Sequence, residues 1–313
     1  MKIVIFNPKS DFSPAQQKQI NSIGDVTYTK TSDELPMGEL LRLAKGAEIV
    51  GVDPDPLGGF EKAKDRLTTI LASLPRVKGV CLSTTSFGWI DLTYCKKRSI
   101  SVSNVPGYSR ESVAEHALAL LLCLAKRIIV TDRRIQKGMY KLEKGFELKG
   151  KTLGIIGLGN IGSRIAELAR GIGMNVIAYN RTPKKMTGVT MKSFQDILWD
   201  SDAISLHTTH EDRNRGIIGR KQLAAMKDGV IIVNTVDRDL VDEEAMANAL
   251  LSGKVYGYAY EGEDLEHTPL AKVENAIGLK GFGWYTHEAL VNLYKIWVSN
   301  ISALARGKPQ NLV

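Results

Sequence analysis

TLGIIGLGNIGSRIAELARGIGMNVIAYNRT, residues Thr152–Thr182, decides how the rest of the chain is read. Leu153–Ile156 is an apolar run with the composition of a buried strand. Gly157-Leu-Gly159-Asn160-Ile161-Gly162 follows, then a helical stretch to Arg170 and a second apolar run, Asn175–Tyr179. The glycine spacing alone is weak evidence. A strand before it and a helix after it, within about thirty residues, is the context a dinucleotide fingerprint requires. Gly157 permits the tight turn, Gly159 lets the backbone approach a pyrophosphate, and Gly162 lets helix and strand pack closely. Asn160 and Ile161 open the helix, whose first N–H groups face the anion.

The end of the second strand selects the cofactor. An acidic residue there would accept from the ribose 2′-hydroxyl of NAD. This chain has Asn180-Arg181-Thr182, with Lys184 and Lys185 beyond. No carboxylate repels a 2′-phosphate, Arg181 can stack on adenine or pair with that phosphate, and Thr182 can donate to it. NADP is the expected cofactor. The alternative is NAD, with these basic residues forming a solvated loop.

Working outward, the 313 residues suffice for two domains and a large core. The longest apolar run, Ala117–Ala125, is too short to span a membrane. MKIVIFNP begins directly as a strand, without a signal-peptide cleavage pattern. Cys81, Cys95 and Cys123 show neither disulfide nor metal spacing, which suits a reducing cytoplasm. His210 and His267 are isolated, and no histidine pair has metal spacing, so no metal is expected. The net charge of +8 is spread along the chain without an aromatic-interleaved stripe. A phosphate-rich cofactor or anionic substrate accounts for it more simply than nucleic acid.

Before the fingerprint, strands are expected at Lys2–Phe6, Val26–Thr29, Ala47–Val52, Val77–Leu82 and Ile100–Val102, with helices between them. This alternation predicts a parallel sheet covered by helices. Ser101–Arg110 is a Pro/Gly connector. Glu111–Lys126 is a helix apolar nearly all round, which must be buried between domains or in a subunit interface. After the fingerprint come strands at Ala203–Leu206, Val230–Asn234 and Val255–Ala259, and a final helix at Glu288–Leu304 that returns to the first unit. The expected domains are 1–100 plus 284–313, and 101–283.

Asn104-Val-Pro-Gly-Tyr-Ser with Val113-Ala-Glu-His116-Ala-Leu-Ala-Leu-Leu-Leu resembles the hinge and dimerisation segment of D-isomer-specific 2-hydroxyacid dehydrogenases. The fingerprint, Asp202–His207, Met226–Thr235 and Trp284-Tyr-Thr286 resemble the same family, in order, over essentially the whole chain. The resemblance implies an α/β, two-domain Rossmann-like fold: a flavodoxin-like substrate domain plus an NAD(P)-binding Rossmann domain. The helix Glu111–Lys126 and the segment to Phe146 argue for a homodimer, because a monomer would expose a large apolar surface, and a small anionic substrate or ligand is expected in the interdomain cleft. His207 and Thr235 fall at cofactor positions. Glu261 falls where the family's aspartate holds the nicotinamide amide.

That family reduces 2-keto acids with an arginine for the carboxylate and carbonyl, a histidine as general acid and a glutamate behind the histidine. Here Asp237 stands at the arginine position and Arg238 one residue late, where a strand would point it to the opposite face. Gly281 stands at the histidine, with Lys280 beside it. The glutamate's counterpart is Glu263 or Glu266. The family's glycine-rich anion loop reads Ser83-Thr84-Thr85-Ser86, whose hydroxyls either bind an anion or make local turns. The replacement catalytic set proposed from sequence is Arg238, Glu266 and Lys280, with Tyr258, Tyr260 and Tyr285 as further donors.

These substitutions argue against an ordinary 2-keto acid reductase. They leave a divergent NADP-linked oxidoreductase, a catalytically inactive cofactor-binding sensor or scaffold, or a non-redox or internally redox enzyme using bound NADP on an unusual substrate.

Overall fold

In the computed structural model, which describes residues 1–182, 184–208 and 214–313, every ladder between strands is parallel. His210 lies outside the described residues. The chain divides into two compact units, Met1–Ser109 with His287–Val313, and Arg110–Thr286.

The first unit alternates β1 (Lys2–Pro8), α1 (Pro14–Asn21), β2 (Asp25–Thr29), α2 (Met37–Ala44), β3 (Ile49–Val52), α3 (Gly59–Ala72), β4 (Gly79–Leu82), α4 (Leu92–Lys97) and β5 (Ser101–Ser103). Its sheet has the order β2-β1-β3-β4-β5, the flavodoxin-like arrangement. Successive residues of β1 point to opposite faces, and both faces are buried. Val4 and Phe6 join one core with Val50, Val52, Val80 and Leu82. Ile3 and Ile5 join the other, with Trp297, Val298 and Ile301 of the C-terminal helix His287–Ala305. That helix therefore belongs to this unit. Trp297 Nε1 donates to the Cys81 carbonyl at 2.7 Å and Asn300 Nδ2 to the Asn104 carbonyl at 2.7 Å.

The second unit opens with α5 (Arg110–Lys126) and α6 (Ile128–Gln136). Then follow β6 (Thr152–Ile156), α7 (Asn160–Gly171), β7 (Asn175–Tyr179), β8 (Thr190–Met191), α8 (Phe194–Asp200), β9 (Ala203–Leu206), α9 (Arg220–Ala225), β10 (Val230–Asn234), α10 (Glu243–Leu251), β11 (Val255–Glu261) and β12 (Ala276–Leu279). The sheet order β8-β7-β6-β9-β10-β11-β12 is the doubly wound one, reversing direction between β6 and β9. Ligands of such sheets lie outside the carboxyl ends of the strands at that switch point, where the glycine loop sits.

Ala114, Ala117, Leu121 and Leu124 of α5 pack on Leu153, Ile155, Ile231 and Val233 of the sheet. One face of the helix is thus buried within its own unit, while Leu122 is exposed. Further exposed apolar side chains gather just beyond it, at Ile128, Ile135, Met139, Tyr140 and Leu142. Three elements have no counterpart in the sequence reading, the two-residue β8 among them. The strand β12 is four residues long and includes Gly278. The helix α6 is separated from α5 only by Arg127, whose backbone is left-handed at φ 59°. Among the described residues, no helix is long and apolar enough to cross a membrane.

Candidate functional site

β6 delivers the chain into the glycine loop. Gly157 has φ +102°, and a Cβ there would come within 2.5 Å of the His207 carbonyl. A Cβ on Gly162 would lie 1.9 Å from the Gly157 carbonyl oxygen. Both positions are closed to any side chain. Gly159 is the opposite case: a Cβ there meets nothing within 4 Å. It is also the N-cap of α7 and supplies no side chain to the helix's first N–H groups, which belong to Asn160, Ile161 and Gly162. An uncapped helix start behind an open glycine is the shape and polarity that a pyrophosphate fits.

The end of β7 is bound back onto this loop. Asn180 Oδ1 accepts from Leu158 N at 2.9 Å, and its Nδ2 donates to the Thr182 carbonyl at 2.6 Å. Lys184 Nζ donates to the Leu158 carbonyl at 2.8 Å and to Ser163 Oγ at 3.1 Å. It therefore brings a positive charge onto the loop itself. Arg181 and Thr182 are exposed beside it.

Across the switch point, His207 closes the end of β9. Its Nε2 lies 2.8 Å from Ser205 Oγ. Burial pushes its pKa down to about 4, so the ring is neutral at physiological pH. After β10, Thr235 Oγ1 is buried and without a hydrogen-bond partner among the described residues. A buried unpaired hydroxyl is costly unless a ligand completes it. This orphan, the open Gly159 and the uncapped helix together fit a dinucleotide.

The positions that would carry chemistry are arranged differently. Asp237 turns its carboxylate to Asp239 N at 2.8 Å, and its carbonyl accepts from Asn234 Nδ2 at 2.7 Å. Arg238 is engaged by Glu243 through two hydrogen bonds, at 2.7 and 2.9 Å, and donates to the Glu263 carbonyl at 2.5 Å. Glu243 raises the arginine's pKa further. The guanidinium is thus used inside the unit, holding the start of α10 to the loop after β11.

Lys280 is 81% exposed in its side chain and lies 3.8 Å from Glu263, itself 72% exposed. Gly281, beside it, has open space where a Cβ would stand. Glu266 is exposed in a short helical turn, Leu265–His267, on the rim of a cavity of about 740 Å³ lined also by Arg133, Arg134 and Tyr260. Tyr258 and Tyr260 are buried and stacked, with centroids 5.0 Å apart. Tyr285 is exposed. Arg238 and Lys280 both approach Glu263, through its carbonyl and its carboxylate respectively, and Glu266 lies in the turn that follows.

Glu261, the last residue of β11, is buried. Its Oε1 accepts from Phe282 N at 3.1 Å and Gly283 N at 2.8 Å, and His116 Nε2 of α5 lies 3.3 Å away. The sequence reading assigned His116 no chemical role. It sits in an apolar helix, far along the chain from Glu261, and no local pattern signals the pair.

In the first unit, the Ser83–Ser86 hydroxyls are largely committed within the protein. Ser83 Oγ donates to Asp53 Oδ2 at 2.6 Å, Thr84 Oγ1 to the Ser86 carbonyl at 2.7 Å and Thr85 Oγ1 to the Val105 carbonyl at 2.7 Å. Burial holds the Asp53 carboxyl above its usual range.

Comparison with known proteins gives the context. The family described as D-isomer specific 2-hydroxyacid dehydrogenase, NAD binding domain, matches residues 118–279. The glyoxylate reductase of Thermococcus litoralis is 34% identical over 261 residues, 78% of this chain and 79% of its own length. A D-3-phosphoglycerate dehydrogenase of Archaeoglobus fulgidus is 36% identical over 230 residues, 70% of this chain, and this chain spans only 44% of that protein. A solved structure of an acyclic imino acid reductase (Bsp5) in complex with NADPH and D-Arg has a TM-score of 0.85 at 27% identity, covering 100% of both chains.

Proposed function

The chain belongs to the D-isomer specific 2-hydroxyacid dehydrogenase family, and we propose that it is a divergent NADP-linked oxidoreductase acting on a small anionic carbonyl compound. The observation that carries this reading is the dinucleotide cradle: an open Gly159 before an uncapped helix, with the orphan Thr235 hydroxyl opposite. The pyrophosphate would sit against Gly159, Asn160 and Ile161, and the adenosine 2′-phosphate against Arg181, Thr182 and Lys184. Thr235 and Glu261 would take the nicotinamide end. When bound, the dinucleotide would supply or accept hydride. The protein's own part is to hold it, to exclude water and to provide the proton.

Two features favour NADP over NAD: the absence of a carboxylate at the end of β7, and the NADPH in the imino acid reductase structure. The relatives named glyoxylate and hydroxypyruvate reductases point to small 2-keto acids as the first substrates to try. Asp237 and Gly281 support a second reading, a cofactor-binding protein without turnover. We also propose a homodimer, now on the exposed apolar run from Ile128 to Leu142, and a cytoplasmic setting.

The test is fluorescence titration with NADPH and NADH, repeated with glyoxylate and hydroxypyruvate while reduced-cofactor absorbance is followed. The reductase reading expects NADPH to bind at least about tenfold tighter than NADH and to be oxidised with a keto acid present. Tight binding without oxidation across a carbonyl and imine panel would establish the second reading.

A further inference from the structure

The residues already weighed as proton donors do not suit the task. Lys280 and Tyr285 are exposed, and Tyr258 is sealed in the core with burial pushing its pKa up. Tyr260 is equally buried and faces Thr268 Oγ1 at 3.4 Å. His207 is neutral under working conditions.

Among the described residues, one largely buried imidazole faces a carboxylate at the carboxyl edge of the sheet. His116 enters from α5 with its side chain only 15% exposed. It lies edge-on to Phe282, with ring centroids 5.2 Å apart. A Cβ on Gly283 would come 2.8 Å from His116 Cδ2, so the glycine there admits the ring. Its Nε2 is buried and makes no hydrogen bond, although Glu261 Oε1 stands 3.3 Å away. That oxygen already accepts two backbone N–H groups, which fix the carboxylate in place. The pair adjoins Gly281, where open space replaces a side chain. Glu261 ends β11 and the segment 280–283 follows β12. Both therefore lie on the edge where a doubly wound sheet receives its ligand.

We propose that His116, with Glu261 behind it, supplies the proton in place of a histidine at position 281. A helix-borne imidazole thereby takes over from a loop-borne one. This rests on the reductase reading above. The carbonyl carbon receives hydride, with its two electrons, from the reduced nicotinamide. The C=O π pair moves to oxygen, and the Nδ1–H bond of the His116 imidazolium, at the ring nitrogen not turned to Glu261, breaks to place its proton there. The carbonyl becomes a hydroxyl, the cofactor leaves oxidised, and the neutral ring regains a proton from solvent. Glu261 Oε1, 3.3 Å from Nε2, holds the ring in orientation through the transfer.

The experiment uses the full chain labelled at its five histidines, with the His116 ring signal assigned by its loss in His116→Gln. Saturating NADPH should shift that signal. His116→Gln should bind NADPH within about threefold of the parent yet lose about 100-fold or more in turnover. Imidazole should restore part of the turnover in His116→Ala.

A His116 signal unmoved by bound NADPH overturns the proposal. So does turnover retained within about threefold in His116→Gln, or NADPH affinity falling in parallel with turnover, which is what a packing role predicts. If the signal moves but the parent turns over no compound of the panel, the reductase reading itself fails and takes the acid role with it. That result is distinct from the others because the ring still senses the cofactor.

Discussion

The loop at Gly157–Gly162 and the segment Asn234–Glu243 emerge from the same edge of one sheet, and they have been treated unequally. The glycine loop has two positions closed to a side chain and one open before an uncapped helix. The second segment has Asp237 where an arginine is expected, and its neighbouring arginine serves an internal ion pair. The physical difference lies in what each residue is needed for. Gly157 and Gly162 stand where backbone atoms leave no room for a Cβ, so changing them disturbs the fold itself. A catalytic arginine or histidine makes few demands on the fold. It can be exchanged without structural loss while its surroundings are rebuilt around capping and ion-pair contacts. The contrast teaches that an intact fingerprint reports on binding, and says much less about chemistry.

The largest effect should follow from breaking the retained side. Gly162→Ala places a methyl 1.9 Å from the Gly157 carbonyl oxygen, and both are backbone-bound and cannot swing away. We expect a loss of about 3 kcal/mol of stability, read by urea unfolding. NADPH affinity should fall about 100-fold. Gly159→Ala, in open space, should preserve stability while still weakening NADPH, which separates folding from binding at neighbouring glycines. If Gly162→Ala bound normally, the loop's geometry would not be the reason for its retention.

The next effect concerns His207, packed against the same loop. Its folded pKa is depressed to about 4 from its ordinary value of 6.5. The unfolded chain therefore takes up a proton that the folded ring refuses as the pH falls below 6.5. The stability contributed by the neutral ring is complete above that pH and is lost as the pH falls towards 4. The full loss is about 3 kcal/mol at 1.36 kcal/mol per pKa unit. Urea unfolding between pH 7 and 4 should show this slope, and His207→Gln should flatten it. An unchanged slope in the variant would assign the acid sensitivity to carboxylates such as Glu143, whose pKa is held down to about 2 by Arg134 and Arg127.

Legibility in the sequence follows the same division. The fold could be read because apolar runs, glycines and helical spacing repeat their signals locally. Leu153–Ile156 and Gly157–Gly162 state their structure within a dozen residues. The strand β12 was missed because Ala276–Leu279 is short and carries a glycine. The break between α5 and α6 was missed because Arg127 adopts a left-handed backbone without being glycine, held by Glu143 and stacked over Tyr256 at 4.9 Å. Asp237 and Gly281 could be read at the positions where the resemblance places an arginine and a histidine, but the contacts around them could not. The Arg238–Glu243 pairing could at best be guessed from spacing. The approach of His116 to Glu261 needs the folded sheet to bring two distant residues together, and an apolar helix gives no sign that one of its residues faces a carboxylate.

The smallest effect is the most discriminating for the rebuilt side. If Arg238 bound substrate as the family's arginine does, Arg238→Gln would abolish turnover and leave stability nearly untouched. Its observed contacts predict the reverse. The guanidinium and Glu243 are mostly buried, at 26% and 16% side-chain exposure, and are joined by two hydrogen bonds. Removing the arginine leaves the Glu243 carboxylate without its partner. Partial solvent access limits the penalty to about 1–2 kcal/mol. NADPH affinity and turnover should stay within about threefold of the parent. Arg238→Gln combined with Glu243→Gln should recover part of the lost stability, because the unpaired charge is then removed as well. Urea unfolding of the two single variants and the double variant, alongside steady-state rates, distinguishes the roles. A stable protein that has lost turnover would return Arg238 to the substrate, and a less stable one with normal rates would leave it in the scaffold.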